Sequence, residues 1–110
     1  MRTTFHLPRA VEVELQRIGE GIRIARLRRG MSQEELARRM GVSFHTVRHI
    51  EQGRPGTAFG HYLHAMWILG IADTVSSVAD PALDKEGLLL EAKDRRRKGG
   101  YKTASISNDF

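Results

Sequence analysis

The sequence has no cysteine and no long hydrophobic run, and each absence excludes a class of protein. Without cysteine there is neither a disulfide framework nor thiolate chemistry, which is typical of a reducing cytosol. The longest apolar stretch, Ala65–Ala72, is too short to cross a membrane. The N-terminus also lacks the apolar run of a signal peptide. We therefore expect a cytoplasmic protein that makes no membrane contact.

Residues that could form a catalytic set are missing as well. The sequence shows no Ser/His/Asp or Cys/His arrangement and no glycine-rich phosphate loop, and its acidic residues do not cluster with its histidines. His45 and His49 have the i, i+4 spacing that can hold a metal, but a metal site needs a third ligand and outer-shell support. We expect no enzyme activity, no metal and no cofactor.

Positive charge is what the chain of 110 residues has in excess, with 18 lysines and arginines against 13 acidic residues. The excess is concentrated in two places. Residues 20–54 contain eight basic and four acidic residues, and residues 93–102 contain six and one. Two basic clusters predict a surface that binds a polyanion. The alternative is that both are solvated helix faces that keep the protein soluble.

Residues 32–53 predict a helix, a tight turn and a second helix. Ser32 and Glu35 have the spacing of a capping box. Gly41 stands where a helix ends in a left-handed turn, and Ser43 can cap the next helix, which Gly53 ends. Two short helices joined by about four residues with a glycine are typical of the DNA-binding helix-turn-helix unit. The alternative is an ordinary helical hairpin.

The segments on either side predict further helices and therefore an all-α fold. A long first helix is predicted over residues 9–29. Gly19 and Gly21 weaken its middle, and a break near them would separate an N-terminal extension from the rest of the helix. A fourth helix, capped by Thr57, runs to residue 69. The predicted inner face of this fourth helix consists of Phe59, Tyr62, Leu63, Met66 and Leu69.

The C-terminal third predicts a short fifth helix over residues 74–78, capped by Asp73, and a last helix over residues 84–97. Four segments follow from this organisation. They are an N-terminal extension (1–17: an arm and the start of helix one), a helix-turn-helix DNA-binding domain (18–79), a partner or dimer helix (80–98) and a flexible basic tail (99–110).

Four short motifs between residues 18 and 69 carry a family resemblance. They are Gln33-x-Glu35-Leu36-Ala37, Gly41-Val42-Ser43, Thr46-Val47 and Ile50-Glu51-Gln52-Gly53. Together they resemble the Cro/C1-type (XRE-like) helix-turn-helix family of phage and bacterial repressors. The resemblance implies a five-helix DNA-binding domain, a homodimer, a palindromic double-stranded operator and association with the nucleoid.

The motif geometry also assigns site residues, because the second helix of the unit enters the major groove. The side chains expected at base edges are Ser43, Phe44, His45, Arg48 and His49, with a thymine methyl as the expected partner of Phe44. The side chains expected at phosphates are Gln33, Arg38, Thr46 and Arg54. The resemblance further implies an ion pair between Arg26 and Glu51; the alternative for Arg26 is a phosphate contact.

A shorter resemblance concerns the regulatory role. Residues 69–73, 78–81 and 87–90 are similar to HipB-like antitoxins, small operon repressors that bind a HipA-family Ser/Thr kinase toxin. Under this hypothesis, the toxin is held by Leu88, Leu89, Leu90 and Phe110. The alternative is a stand-alone Cro/C1-type repressor of phage or host origin. The dimer surface stays open among Trp67, residues 71–79 and the N-terminal arm.

Overall fold

Five α-helices and two single 3₁₀ turns make up the secondary structure of residues 6–98, the part of the chain that the computed structural model describes. The helices are α1 (Arg9–Arg28), α2 (Gln33–Met40), α3 (Phe44–Glu51), α4 (Phe59–Ile68) and α5 (Lys85–Lys98). The 3₁₀ turns are Val75–Ser77 and Pro81–Leu83. Residues 6–98 contain no strand, and the predicted all-α fold with a C-terminal helix is confirmed.

The chain divides into two units between Val75 and Ser76. In the first unit, α3 packs on α1, α2 and α4, and α4 also packs on α1 and α2. In the second unit, α5 packs on the turn Pro81–Leu83. Because α3 contacts every other helix of its unit, its orientation is set by the whole packed group of four helices.

The two helices of the helix-turn-helix begin and end where local chemistry predicts. The Ser32 hydroxyl oxygen accepts a hydrogen bond from the Glu35 backbone N–H at 3.0 Å, and the Ser43 hydroxyl oxygen accepts one from Thr46 N–H at 3.3 Å. Gly41 ends α2 with a φ of 73°, a left-handed backbone conformation that residues with a Cβ rarely adopt. The Glu35 carboxylate, expected to complete a capping box, accepts a hydrogen bond from Arg39 at 2.6 Å.

The core lies entirely in the first unit and draws on all four of its helices. In α3 the core residues are Val47 and Ile50, both fully buried. Burying an aliphatic side chain of this size stabilises a fold by about 1.5–3 kcal/mol. The buried apolar residues of the core are Ile22, Ala25, Met31, Leu36, Ala37, Met40, Val47, Ile50, Tyr62, Ala65 and Leu69.

The long first helix is present as predicted: α1 covers Arg9–Arg28 and continues through Gly19 and Gly21 without a break. Gly19 is buried, and a Cβ there would lie 2.5 Å from the carbonyl oxygen of Ile50. A Cβ on Gly53, whose φ is 69°, would lie 2.6 Å from the carbonyl oxygen of Leu15. The two glycines therefore let the backbone of α1 approach the C-terminal end of α3.

Helix α4 differs from the prediction at its start and on its inner face. It begins at Phe59 after Ala58, which makes no side-chain capping hydrogen bond, so the predicted cap at Thr57 was wrong. Tyr62 and Leu69 are buried as predicted, whereas Leu63 and Phe59 are exposed. The apolar surface of α4 therefore extends beyond the part that is buried in the core.

The short fifth helix predicted over residues 74–78 was also wrong, because Val75–Ser77 forms a single 3₁₀ turn. At the start of α5, the Asp84 carboxylate accepts a hydrogen bond from Gly87 N–H at 2.9 Å. The predicted tail, including Phe110, lies outside the described residues. Among residues 6–98, no helix has the length and apolar content needed to span a membrane.

Candidate nucleic-acid interface

The outer face of α3 presents polar side chains, while its inner face is anchored in the core. Ser43, His45 and Arg48 are exposed, and Phe44 and His49 are half-buried. Since Val47 and Ile50 fill the core, the helical period directs His45, Arg48 and His49 away from it. All five side chains predicted at base edges therefore lie at or near one surface.

The N-terminal end of α3 carries two hydroxyl groups next to its free backbone N–H groups. The Ser43 and Thr46 hydroxyl oxygens lie 3.2 Å apart and share a hydrogen bond. Each hydroxyl retains further donor or acceptor capacity, which a base edge or a phosphate can use. The partial positive charge of a helix N-terminus also favours an anion such as a phosphate at this end.

Three side chains of the outer face contact one another in a way that sequence analysis did not anticipate. The guanidinium carbon of Arg48 lies 5.7 Å from the centre of the Phe44 ring, within the range of a cation–π contact. The rings of His45 and Phe44 also contact each other in an edge-on arrangement, with their centroids 5.6 Å apart. The i, i+4 spacing of Phe44 and Arg48 was the available signal. Phe44 thus contacts both of the polar side chains best suited to contact bases.

A buried ionic network fixes the C-terminal end of α3. Arg26 and Glu51 form a two-point ion pair, with Nε–Oε2 at 2.6 Å and Nη2–Oε1 at 3.0 Å. Arg26 Nη1 also donates to the Met31 carbonyl oxygen at 2.7 Å. Arg26 therefore joins the end of α1, the loop after it and the end of α3, and its guanidinium is directed to Glu51 instead of outward to a phosphate.

Gln33 belongs to the same network. Its side-chain amide donates to Glu51 Oε1 at 2.8 Å, and the residue is half-buried at the start of α2. This contact links α2 to α3 and leaves the Gln33 carbonyl oxygen and one amide hydrogen for other partners. A phosphate contact from Gln33 stays a prediction, now with its side chain held in place by Glu51.

The arginines predicted at phosphates, Arg38 and Arg54, are exposed. Arg54 follows α3, and its Nε donates to the Gln52 side-chain oxygen at 2.8 Å. The buried Tyr62 donates its hydroxyl to the Arg54 carbonyl oxygen at 2.8 Å, which ties the backbone after α3 to α4. Burial raises the pKa of Tyr62 above its usual value of 10.0.

Outside this surface, the predicted partner residues Leu88, Leu89 and Leu90 of α5 are exposed. Within residues 6–98, no group of three or more His, Asp or Glu side chains is arranged to hold a metal ion. The pair His45 and His49 therefore gains no third ligand from the described part of the chain.

A family model described as "Helix-turn-helix domain" matches residues 17–72, just over half of the chain. No curated protein and no solved structure gives a significant match. The resemblance to HipB-like antitoxins gains no support from these comparisons. The matched segment contains all of α2, α3 and α4 together with the C-terminal half of α1, and α2 and α3 supply the two helices of the motif. The chain belongs to the Cro/C1-type (XRE-like) helix-turn-helix family of DNA-binding regulators.

Proposed function

We propose that the protein is a sequence-specific repressor that recognises a DNA operator through the outer face of α3. The observation that carries the proposal is the division of α3 into a buried face and a polar face. Val47 and Ile50 are fully buried, while His45 and Arg48 are exposed on the opposite side. Arginine can form two hydrogen bonds to guanine O6 and N7, and histidine can donate or accept at a base edge.

Phosphate contacts around the reading helix would fix its register on the duplex. Arg38 in the last turn of α2 and Arg54 after α3 precede and follow it in the chain, and both are exposed. Thr46 and Gln33 lie at the start of α3 and of α2, where helix N-termini favour phosphates. Such contacts supply affinity and salt dependence but carry no sequence information of their own.

The test is a double substitution, His45→Ala with Arg48→Ala, in a selection of bound duplexes from a random-sequence pool. Both side chains are exposed, so we expect the fold to survive. The unchanged protein should enrich one motif with two-fold symmetry. The variant should enrich none, because the side chains that read base edges are gone while phosphate contacts remain.

A matched control is Arg23→Ala, which removes an exposed arginine from α1 that already pairs with Glu20 at 3.1 Å. This variant should enrich the same motif as the unchanged protein. Enrichment of that motif by the His45→Ala/Arg48→Ala variant would refute the assignment of base contacts to α3. Failure of the unchanged protein to bind any duplex at low salt would refute the proposed function as a whole.

We further propose that the repressor acts as a homodimer, and α4 supplies the supporting observation. Phe59, Leu63 and Trp67 recur at i, i+4 and i+8, and they are 56%, 36% and 70% exposed. No lysine, arginine, aspartate or glutamate occurs from Pro55 to Ala72. Exposed aromatic side chains in a segment without charge are typical of the centre of a protein interface.

The size of this surface indicates a weak dimer. Two partly exposed aromatic side chains and one leucine offer on the order of 300 Å² per protomer. A standard interface buries about 800 Å² per partner, so neighbouring residues must contribute and the affinity between free protomers should be low. Two copies on adjacent half-sites of one operator would then support each other's binding.

The antitoxin hypothesis is a second candidate, supported by the exposure of Leu88, Leu89 and Leu90 on α5. It requires a HipA-like kinase toxin that is captured by the C-terminal third. Deletion of residues 86–110 should abolish co-purification with such a kinase and leave selection of the operator motif intact. If the truncated chain still binds the kinase, the assignment to the C-terminal third is contradicted. If no kinase partner is found, the hypothesis of a stand-alone repressor is the one supported.

A further inference from the structure

The last turns of α5 carry more positive charge than their acidic residues neutralise. Arg95 pairs with Glu91 at 3.0 Å, and Lys98 pairs with Asp94 at 3.5 Å. These two ion pairs lie on the same side of the helix, since their four members stand at i, i+3, i+4 and i+7. They use Glu91 and Asp94, the last two acidic residues of α5.

Three cations remain on the other side of the helix: Lys93, Arg96 and Arg97. They stand at i, i+3 and i+4, which places them on one face, and all three are exposed. Within residues 6–98, none of the ion pairs involves any of them. We call these three residues the α5 basic face.

Stabilisation of the helix end does not by itself explain the α5 basic face. Cations near a helix C-terminus interact favourably with the macrodipole whichever side they occupy. Arg95 and Lys98 already supply such charges in the last turn. The separation of paired cations on one side from unpaired cations on the other instead resembles a surface kept free for an anionic partner.

The distribution of leucines on α5 argues against a lipid surface as that partner. A helix that lies on a membrane needs one continuous apolar face opposite or beside its cations. Leu88, Leu89 and Leu90 are consecutive, so steps of about 100° spread them over more than half of the helix circumference. No single apolar face is available to enter a bilayer.

We propose that the α5 basic face is a second DNA-binding surface, which contacts backbone phosphates independently of base sequence. The proposal rests on the proposed DNA-binding function, because the helix-turn-helix and α5 belong to one chain. Lys93 to Arg97 spans about 6 Å along the helix axis. This is close to two charge spacings of one DNA strand, each roughly 3.4 Å along the duplex axis. Binding through the first unit raises the effective concentration of DNA at the second.

The experiment measures affinity for a mixed-sequence DNA duplex of about 30 bp, or three helical turns, over a series of salt concentrations. The variant is Arg96→Gln with Arg97→Gln in the full chain. Each lost phosphate contact should reduce the slope of log K against log salt by about 0.9, so the variant should lose up to about 1.8. The specific motif selected by α3 should be unchanged.

The matched control is Arg95→Gln with Lys98→Gln, which alters the same helix and removes the same net charge. These two cations are already within 3.5 Å of carboxylates, so their loss should change the slope much less. An equal change in both variants would show a general effect of net charge and overturn the proposal. A slope equal to that of the unchanged protein in the Arg96→Gln/Arg97→Gln variant would overturn it as well.

Two further measurements cover the remaining outcomes. Should glutamine at these positions unwind α5, amide chemical shifts of the unsubstituted chain during titration with the same duplex decide the question. Shifts at Lys93, Arg96 and Arg97 support the surface, and their absence overturns it. Loss of binding to phosphatidylserine vesicles but not to DNA in the variant would assign the face to a membrane. If the unchanged protein does not bind duplex DNA at all, that result refutes the proposed function itself, and the α5 proposal with it.

Discussion

The ion pair between Arg26 and Glu51 is the residue-scale feature with the largest expected effect on stability. Both side chains are buried, and they form two hydrogen bonds to each other. Arg26→Met would leave a buried carboxylate with only the Gln33 amide as partner. Because an uncompensated buried charge is costly, we expect a loss of about 3–5 kcal/mol in the free energy of unfolding, measured by urea denaturation.

The double variant Arg26→Met with Glu51→Met is the informative comparison for this pair. Removing both charges eliminates the buried unpaired group, so the double variant should be more stable than Arg26→Met alone. Equal stability of the single and double variants would show that the unpaired Glu51 carboxylate carries no cost, so that the pair stabilises the fold through packing alone. The position of Glu51 at the end of α3 also predicts weaker operator binding in both variants.

Tyr62 predicts how stability changes at alkaline pH. Burial raises its pKa in the folded state above 10.0, so the folded protein keeps the phenol proton at a pH where the unfolded chain has lost it. The unfolded state then binds fewer protons, and the free energy of unfolding falls as pH rises above about 10, by at most about 1.4 kcal/mol per pH unit. The contribution is fully present below pH 10 and lost as pH rises through the folded pKa.

Tyr62→Phe isolates this effect. At neutral pH the variant should be less stable by about 1 kcal/mol, because the hydrogen bond to the Arg54 carbonyl oxygen is lost. Lysines titrate in the same alkaline range in both proteins, so only the difference between them reports on Tyr62. Measured by urea denaturation, the difference in the free energy of unfolding between the two proteins should shrink as pH rises above about 10. A difference that is independent of pH would contradict the assignment.

At the scale of elements, the contact between α1 and the end of α3 depends on the absence of a side chain. A Cβ on Gly19 would lie 2.5 Å from the Ile50 carbonyl oxygen and 2.8 Å from Gly53 N, both backbone atoms. Gly19→Ala therefore forces the two elements apart. We expect a loss of about 2 kcal/mol or more in the free energy of unfolding, together with weaker operator binding.

Gly21→Ala, two residues further along α1, is the matched control. A Cβ there meets nothing within 4 Å, and the position is exposed in the middle of a helix. Alanine is a better helix former than glycine, so this variant should be more stable by about 0.5–1 kcal/mol. Thermal denaturation of both variants should give shifts of opposite sign. Shifts of the same sign would show that the close contact at Gly19 does not control the packing.

These elements also show what local sequence chemistry can predict. The ends of α2 and α3 follow from Ser32, Ser43 and Gly41, whose effects act within a few residues. Gly19 was misinterpreted as a weak point, because the feature that requires glycine there is the backbone of α3, far away in sequence.

The exposed side of α4 could not be predicted for a similar reason. Apolar spacing identifies a helix with an apolar side, but only the arrangement of neighbouring helices decides which of its residues are covered. Phe59 and Leu63 belong to the apolar side, but the neighbouring helices leave them exposed. Similarly, the i, i+4 spacing of Phe44 and Arg48 indicated that these two side chains are neighbours on α3, but only the structure shows that the guanidinium and the rings of Phe44 and His45 contact one another.

At the scale of the whole molecule, the proposed dimer makes a prediction that Trp67 can report. It is the single tryptophan of the chain and is largely exposed in the isolated protomer. If α4 forms the interface, the emission of Trp67 should shift to shorter wavelength as protein concentration rises. Sedimentation velocity should show the same monomer–dimer transition, because both methods report burial of the same surface.

Leu63→Lys tests whether this surface is responsible while keeping the fluorescent side chain. Leu63 is partly exposed, so a lysine there can reach solvent in the protomer but would place a charge inside the interface. The variant should remain monomeric and keep a long-wavelength emission. Its occupancy of an operator with two half-sites should rise less steeply with protein concentration. Leu27→Lys, at an exposed leucine of α1, should dimerise like the unchanged protein. Dimerisation of Leu63→Lys with an unaltered shift of Trp67 would place the dimer contact elsewhere on the chain.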